Sequence, residues 1–180
     1  MRFEYVPLPP PQDINGMPVY VQNELQRIAR FIGGLSEAHA TGMFLATSGA
    51  TMALTTTPTI ITAYDTVRVD EEGMTASHSA GTITFLSDSK YTLTFSANVK
   101  RHGGGSSAAI IGLYLDGTLI SGTQHTIDFS GSQYLPISFS SNGTVSAGQV
   151  LTLKMSLASG TTDVTFDTLD VNVTGKSIDV

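Results

Sequence analysis

The stretch Lys90 to Arg101, KYTLTFSANVKR, alternates without a fault: Tyr91, Leu93, Phe95, Ala97 and Val99 point one way, and Thr92, Thr94, Ser96, Asn98 and Lys100 the other. A period of two is that of a β-strand, and one apolar face beside one polar face makes it half-buried and antiparallel. Just upstream, Thr82 to Leu86 (TITFL) is a second β-rich run. Ser87-Asp88-Ser89 between the two is turn-prone, so the pair is expected to close a hairpin.

The same pattern fills the rest of the C-terminal part. Strands are expected from Thr51, over Thr59 to Thr62 and Thr66 to Val69, with Asp70-Glu71-Glu72-Gly73 as a turn. Further strands follow over Thr126 to Ser130, Leu135 to Ser140, Gln149 to Leu157 and Val164 to Thr174. Pro136 marks an edge or bulged strand. Asn142-Gly143 reads as a hairpin turn, and the slip of phase at Asp167-Thr168 as a bulge or bend. Strands this short and close, with no helix after Gly33, predict an all-β fold, a jelly-roll β-sandwich.

One run departs from the alternation. Ala108 to Leu115, AAIIGLYL, is apolar at every position and ends in Asp116-Gly117, a tight-turn signal. An antiparallel strand should show one polar face, so a second apolar face needs a cover. A neighbouring copy is the simplest one, which places Ile110, Ile111, Leu113, Tyr114 and Leu115 in a homotrimer interface. Residues from 43 to 180 form the β-domain.

Residues 1–35 have another character. Pro7, Pro9, Pro10 and Pro11 favour an extended arm without hydrogen bonds of its own. Phe3, Tyr5, Val6 and Leu8 ride on it, and an arm that carries aromatics reads as a peptide docking on a partner, with Pro9, Pro10 and Tyr20 in the same attachment surface. An arm folded back on its own domain is the alternative. Pro18 opens a short α-helix and Gly33-Gly34 stop it. Val21, Leu25, Ile28, Ile32 and Leu35 step by four and three along it, the seam of a short coiled coil. Two heptads do not associate alone, so the seam either packs in a trimer or lies on a docking surface. Small residues over 36–42 are expected to be linker.

Charged residues make up only 13% of the 180-residue chain, low for a free monomer and suited to a surface buried in an assembly. The net charge of −6 and the scatter of nine Lys and Arg argue against nucleic acid. There is no cysteine, hence neither a disulfide nor a thiolate site. No signal peptide is expected, and no apolar run is long enough for a membrane span.

Nothing in the pattern assembles catalytic chemistry, so no enzyme activity and no cofactor are expected. His39, His78, His102 and His125 lack metal-ligand spacing. Ser77-His78-Ser79 offers no nucleophile, because adjacent residues on a strand point apart. Asp163, Asp167 and Asp170 hint at calcium, which loop carboxylates bind in some jelly rolls, though their spacing on strands does not converge; Gly103-Gly104-Gly105 precedes no helix, so it is no phosphate loop.

Two resemblances bear on function. The order SAGTITFLSDSKYTLTFSANV, then LYLDGTLI, VSAGQVLTLKMSL and TFDTLDVNV, resembles the jelly-roll head of the complement C1q and tumour-necrosis-factor superfamily, whose heads pack as trimers. Lys90 stands where that pattern has Gly, and Gln149 where it has Asp. The lead with Pro18, Tyr20, Val21, Glu24, Leu25 and Ile28 is similar to the start of small virion proteins of tailed bacteriophages. Together they imply a trimeric structural protein of the virion, a capsid decoration or head fibre anchored to major capsid or tail proteins and assembled in the bacterial cytoplasm. The alternative they imply is a tail-associated adaptor, or a fibre tip that binds a host surface glycan. The segments expected at the apex, Arg101 to Ser107 and Ser130 to Gln133, are poor in aromatics, which favours structure over recognition.

Overall fold

The computed structural model describes residues 20–25, 28, 38–45, 48–67, 73–102, 107–129 and 133–177. The attachment residues Phe3, Tyr5, Val6, Leu8, Pro9 and Pro10, and Ile32 and Leu35 of the helix seam, lie outside them. The chain divides into two units, Met1–Ala38 and His39–Val180.

In the first unit, residues 20–25 are helical. Val21, Leu25 and Ile28 are exposed there, by 46%, 61% and 36%, and Glu24 is the buried position. The described part of the apolar seam is thus uncovered within one chain.

The second unit is built from strands: β1 (Ala38–Phe44), β2 (Ala50–Leu54), β3 (Thr59–Ile60), β4 (Thr66–Val67), β5 (Met74–Ser77), β6 (Thr82–Phe85), β7 (Ser89–Arg101), β8 (Ser107–Leu115), β9 (Thr118–Leu119), β10 (His125–Phe129), β11 (Leu135–Val145), β12 (Val150–Leu157) and β13 (Thr162–Ser177). One sheet has the order β11-β7-β13-β1-β4, with β2 also on β13. The other has the order β10-β8-β12-β6-β5, with β3 also on β12 and β9 on β8. Setting β11, β7, β13 and β1 against β10, β8, β12 and β6 gives the two four-stranded layers of a jelly roll, the fold class expected from the sequence.

The alternating stretch is the middle of this arrangement. Along β7 the odd residues Tyr91 to Val99 are buried, and Lys90, Thr92, Thr94 and Ser96 are exposed. Between the sheets Phe85, Phe95, Phe129 and Phe166 are fully buried with Leu93, Ile111, Leu113 and Leu151. Each large side chain withdrawn from water contributes about 1.5–3 kcal/mol, so this layer is the main source of stability. Phe85 packs on Tyr91 at 5.8 Å, a contact between the two sheets.

Four expectations change. Residues 86–88 do not close a hairpin, because β6 pairs with β5 and β12 while β7 pairs with β11 and β13. The segment carries the chain from one layer to the other. Asn142-Gly143 is not a turn either: β11 runs straight through, pairing them with Thr92 and Tyr91. Glycine is there for space, since a Cβ at 143 would lie 2.9 Å from the Tyr91 ring. Most of the stretch read as linker, 36–42, belongs to β1, where a side chain at Gly42 would run into the backbone carbonyl of Val171.

The fourth concerns β8. Ile111 and Leu113 are 0% exposed inside a single chain, so they face the core and are closed to a partner. Ile110 and Tyr114 alternate with them onto the outer side, and both are half-buried. Much of their cover is the chain itself. Asp116 and Gly117, with φ of 48° and 81°, make the tight turn that folds β9 back on β8. A Cβ on Gly112 would lie 2.8 Å from Leu119 Cδ1, so Leu119 lies over the glycine. Lys154 Nζ stands 4.5 Å from the Tyr114 ring centroid. The Thr123 hydroxyl holds the flap, donating to the carbonyl of Ile120 at 2.7 Å.

The bulge is where the phase slips. Val99 pairs with Phe166 and Asn98 with Thr168, which leaves Asp167 as the extra residue.

Candidate functional site

Three regions outside the core have the composition to do something. The first is the side of the sandwich where β10 and β11 end their sheets. An edge strand presents unpaired backbone groups, and proteins guard such edges by making them short or charged. Among the described residues the opposite edge strands are β4, with two residues, and β5, with four. By contrast β11 has eleven residues, LPISFSSNGTV, and no charge; Pro136 is its single guard. Leu135 and Phe139 point toward the other sheet and stay half-buried. Phe139 packs on Phe95 at 5.1 Å and stacks on the exposed His125 of β10 at 4.6 Å. On this side the Phe139–His125 ring pair bridges the two edge strands, beside Leu135, Ile137 and Ile127.

The second region is the end where β7, β10 and β12 finish and β8, β11 and β13 begin. Leu45 donates to the carbonyl of Leu169, and Gly42 lies against Val171, so β1 starts at the other end, where β13 finishes. The end away from these two is the apex. A cleft of about 420 Å³ opens there between Ala53, Leu54, Thr55, His102, Thr161, Thr162 and Asp163. Asp163 pairs with Ala53 on one side, and its carbonyl accepts the His102 N–H at 2.8 Å on the other. The His102 carbonyl accepts from the Thr162 hydroxyl, and its Nε2 bonds Thr165 Oγ1. Tyr134, 39% exposed, lies near this end with Lys100 Nζ at 4.7 Å from its ring. His102 thus sits at the end of β7, in the segment Arg101 to Ser107 expected at the apex, and Tyr134 lies one residue beyond the other such segment, Ser130 to Gln133.

The third region is the base, where turns are tied together. Asp116 accepts from Val150 N–H and from Gln149 Nε2, and Gln149 Oε1 accepts from Ser146 N–H at 2.8 Å. Asp88 accepts from Ala147 N–H at 2.8 Å. Gln149, standing where the resembled family has Asp, still caps its own turn through a side-chain oxygen.

Chemistry that needs converging titratable groups is thinly supplied. Among the described residues no three His, Asp or Glu are grouped to hold a metal. Tyr64 and Tyr91 have hydroxyls held above their usual range mainly by burial, with the Asp170 charge adding to it at Tyr64 and a hydrogen bond from Ser141 opposing it at Tyr91. Tyr64 Oη and Thr152 Oγ1 are buried without a hydrogen-bond partner among the described residues.

No family model matches the chain. No curated protein matches it either. Among solved structures it is similar to the Eiger TNF of S. frugiperda, at TM-score 0.46 and 12% identity over 80% of this chain and 95% of that one. It is also similar to the globular domain of zebrafish complement 1qA protein, at TM-score 0.44 and 13% identity, covering 79% and 98%. Murine APRIL, solved at pH 5.0, is similar at TM-score 0.46 and 9% identity, covering 76% and 98%. The strand order described above is that of a jelly roll, and the first two of these structures carry the names TNF and complement 1qA.

Proposed function

We propose that this chain is a non-catalytic structural protein on the surface of a tailed-bacteriophage particle. It assembles as a homotrimer of jelly-roll heads held to the particle by residues 1–35. One observation supports the trimer above others: the long, uncharged edge of β11 with half-buried Leu135 and Phe139, which no strand among the described residues pairs on its outer side. Low overall charge and the open helix seam Val21, Leu25 and Ile28 point the same way. The particle role rests on the proline and aromatic lead and its resemblance to virion proteins.

A docking arm loses conformational entropy, and burying Phe3, Tyr5, Val6 and Leu8 offsets it at about 1.5–3 kcal/mol for each large side chain. Three arms in one trimer gain further through effective concentration. The test is to delete residues 1–35 and assay rebinding to particles that lack the protein. Loss of rebinding with an unchanged oligomer is the expected result. Rebinding as strong as that of the intact chain would place the docking surface on the β-domain and overturn the anchor.

A further inference from the structure

We infer that the apical cleft between β2, β7 and β13 is a binding site for a neutral saccharide, seated on Asp163 and His102. The inference takes up recognition rather than structure and needs neither the trimer nor the particle. Arg101 pairs with Val164, and the next pair in that register is His102 with Asp163. Directly opposed residues of antiparallel strands have Cβ atoms about 4.5–5.5 Å apart on one face, so a carboxylate and an imidazole stand side by side. The imidazole is turned to Thr165 through Nε2, and the His102 backbone is held to β13 by its N–H and its carbonyl. Nδ1 of His102 and the Asp163 carboxylate have no protein partner among the described residues.

The result is a set of one strong acceptor, one imidazole nitrogen and the hydroxyls of Thr161 and Thr162 around the exposed Ala53, with Leu54 behind it in the core. A pyranose presents the complement: adjacent hydroxyls that each donate and accept, on a ring with apolar C–H faces. The cleft of about 420 Å³ falls within the range of small-molecule sites, about 300–1,000 Å³. A metal ion would need a third charged or imidazole ligand, and none is grouped here among the described residues. Lys100 pairs with Thr165, the residue that holds His102, so the exposed Tyr134 ring beside Lys100 extends the same rim toward β11 and offers a further sugar unit a surface.

The experiment is a titration of the isotope-labelled full-length protein with the methyl glycosides of glucose, galactose and mannose and with N-acetylglucosamine, followed by amide shifts. Saturable shifts confined to residues 53–55, 102 and 161–163 are expected with at least one sugar. In Asp163→Ala the affinity should fall about tenfold or more with the thermal midpoint unchanged, since that carboxylate holds nothing in the fold. No saturable shift with any of the four sugars, or shifts that survive Asp163→Ala unaltered, would overturn the site. Both readouts work on a single chain, so a negative result leaves the trimer standing, and a monomeric chain leaves the sugar site standing.

Discussion

Tyr64 carries a hydroxyl into the core without a partner for it, in a cavity lined by Met43, Ile83, Leu93, Leu113 and Val171. A buried donor left unsatisfied costs about 1–3 kcal/mol, so Tyr64→Phe should raise the unfolding free energy by about 1 kcal/mol. A second consequence concerns pH. The folded-state pKa of Tyr64 is raised by burial, and Asp170 adds to the rise, so ionisation is favoured in the unfolded chain. Stability is therefore complete below the unfolded value of about 10 and falls as pH rises above it. Chemical denaturation at rising pH should show a shallower loss for Tyr64→Phe than for the native protein, and not a flat one, because Tyr91 is shifted in the same direction. Ile111 gives the opposite extreme. It is fully enclosed, so Ile111→Asp buries an unpaired charge and should cost more than about 4 kcal/mol, read as loss of the folded β-domain by circular dichroism. At this scale alternation made Tyr91 to Val99 legible from sequence, since a period of two needs no knowledge of the fold. Gly143 was misread because Asn-Gly is a turn signal locally, and the Tyr91 ring that requires a glycine there is more than fifty residues away in sequence.

Elements were legible where they were long and amphipathic, and the connections between them much less so. Strand β7, strand β12, the Asp116-Gly117 turn and the bulge at Asp167 were all foreseen from local pattern. The passage from β6 to β7 between layers was not, because a three-residue connection reads alike whether its strands pair or face each other. Likewise the apolar outer side of β8 reads as a second copy's contact, whereas within the chain Leu119 of β9 lies over Gly112 and Lys154 over Tyr114. The β9 flap hangs on Thr123, whose hydroxyl donates to Ile120 and accepts from the Leu113 N–H. Thr123→Val should cost about 1–3 kcal/mol in denaturant unfolding. The edge strand invites a sharper prediction. Ser138 and Ser140 are exposed on β11, and Lys at both is the way natural edges are guarded. The double variant Ser138→Lys with Ser140→Lys should have the mass of one chain and keep a folded β-domain, read by light scattering and circular dichroism. A double variant that keeps the native mass would move the contact away from this edge.

The molecule divides its work by position. The sandwich takes in β1 and releases β13 at one end, and presents His102, Asp163 and Tyr134 at the other. Its long uncharged edge lies along the side between them. Fold class was readable from sequence because eight principal strands repeat one simple pattern. The apical cleft was not, since it forms where residues 53–55, 102 and 161–163 meet across three strands, a juxtaposition that only the pairing register creates. The central claim is that this chain acts as a trimer. Its most direct test is the mass of the full-length protein in solution, measured by light scattering at micromolar concentration. Three chains of 19.0 kDa in one particle is the mass this account predicts. A stable particle of one chain, soluble with the β11 edge uncovered, would contradict it.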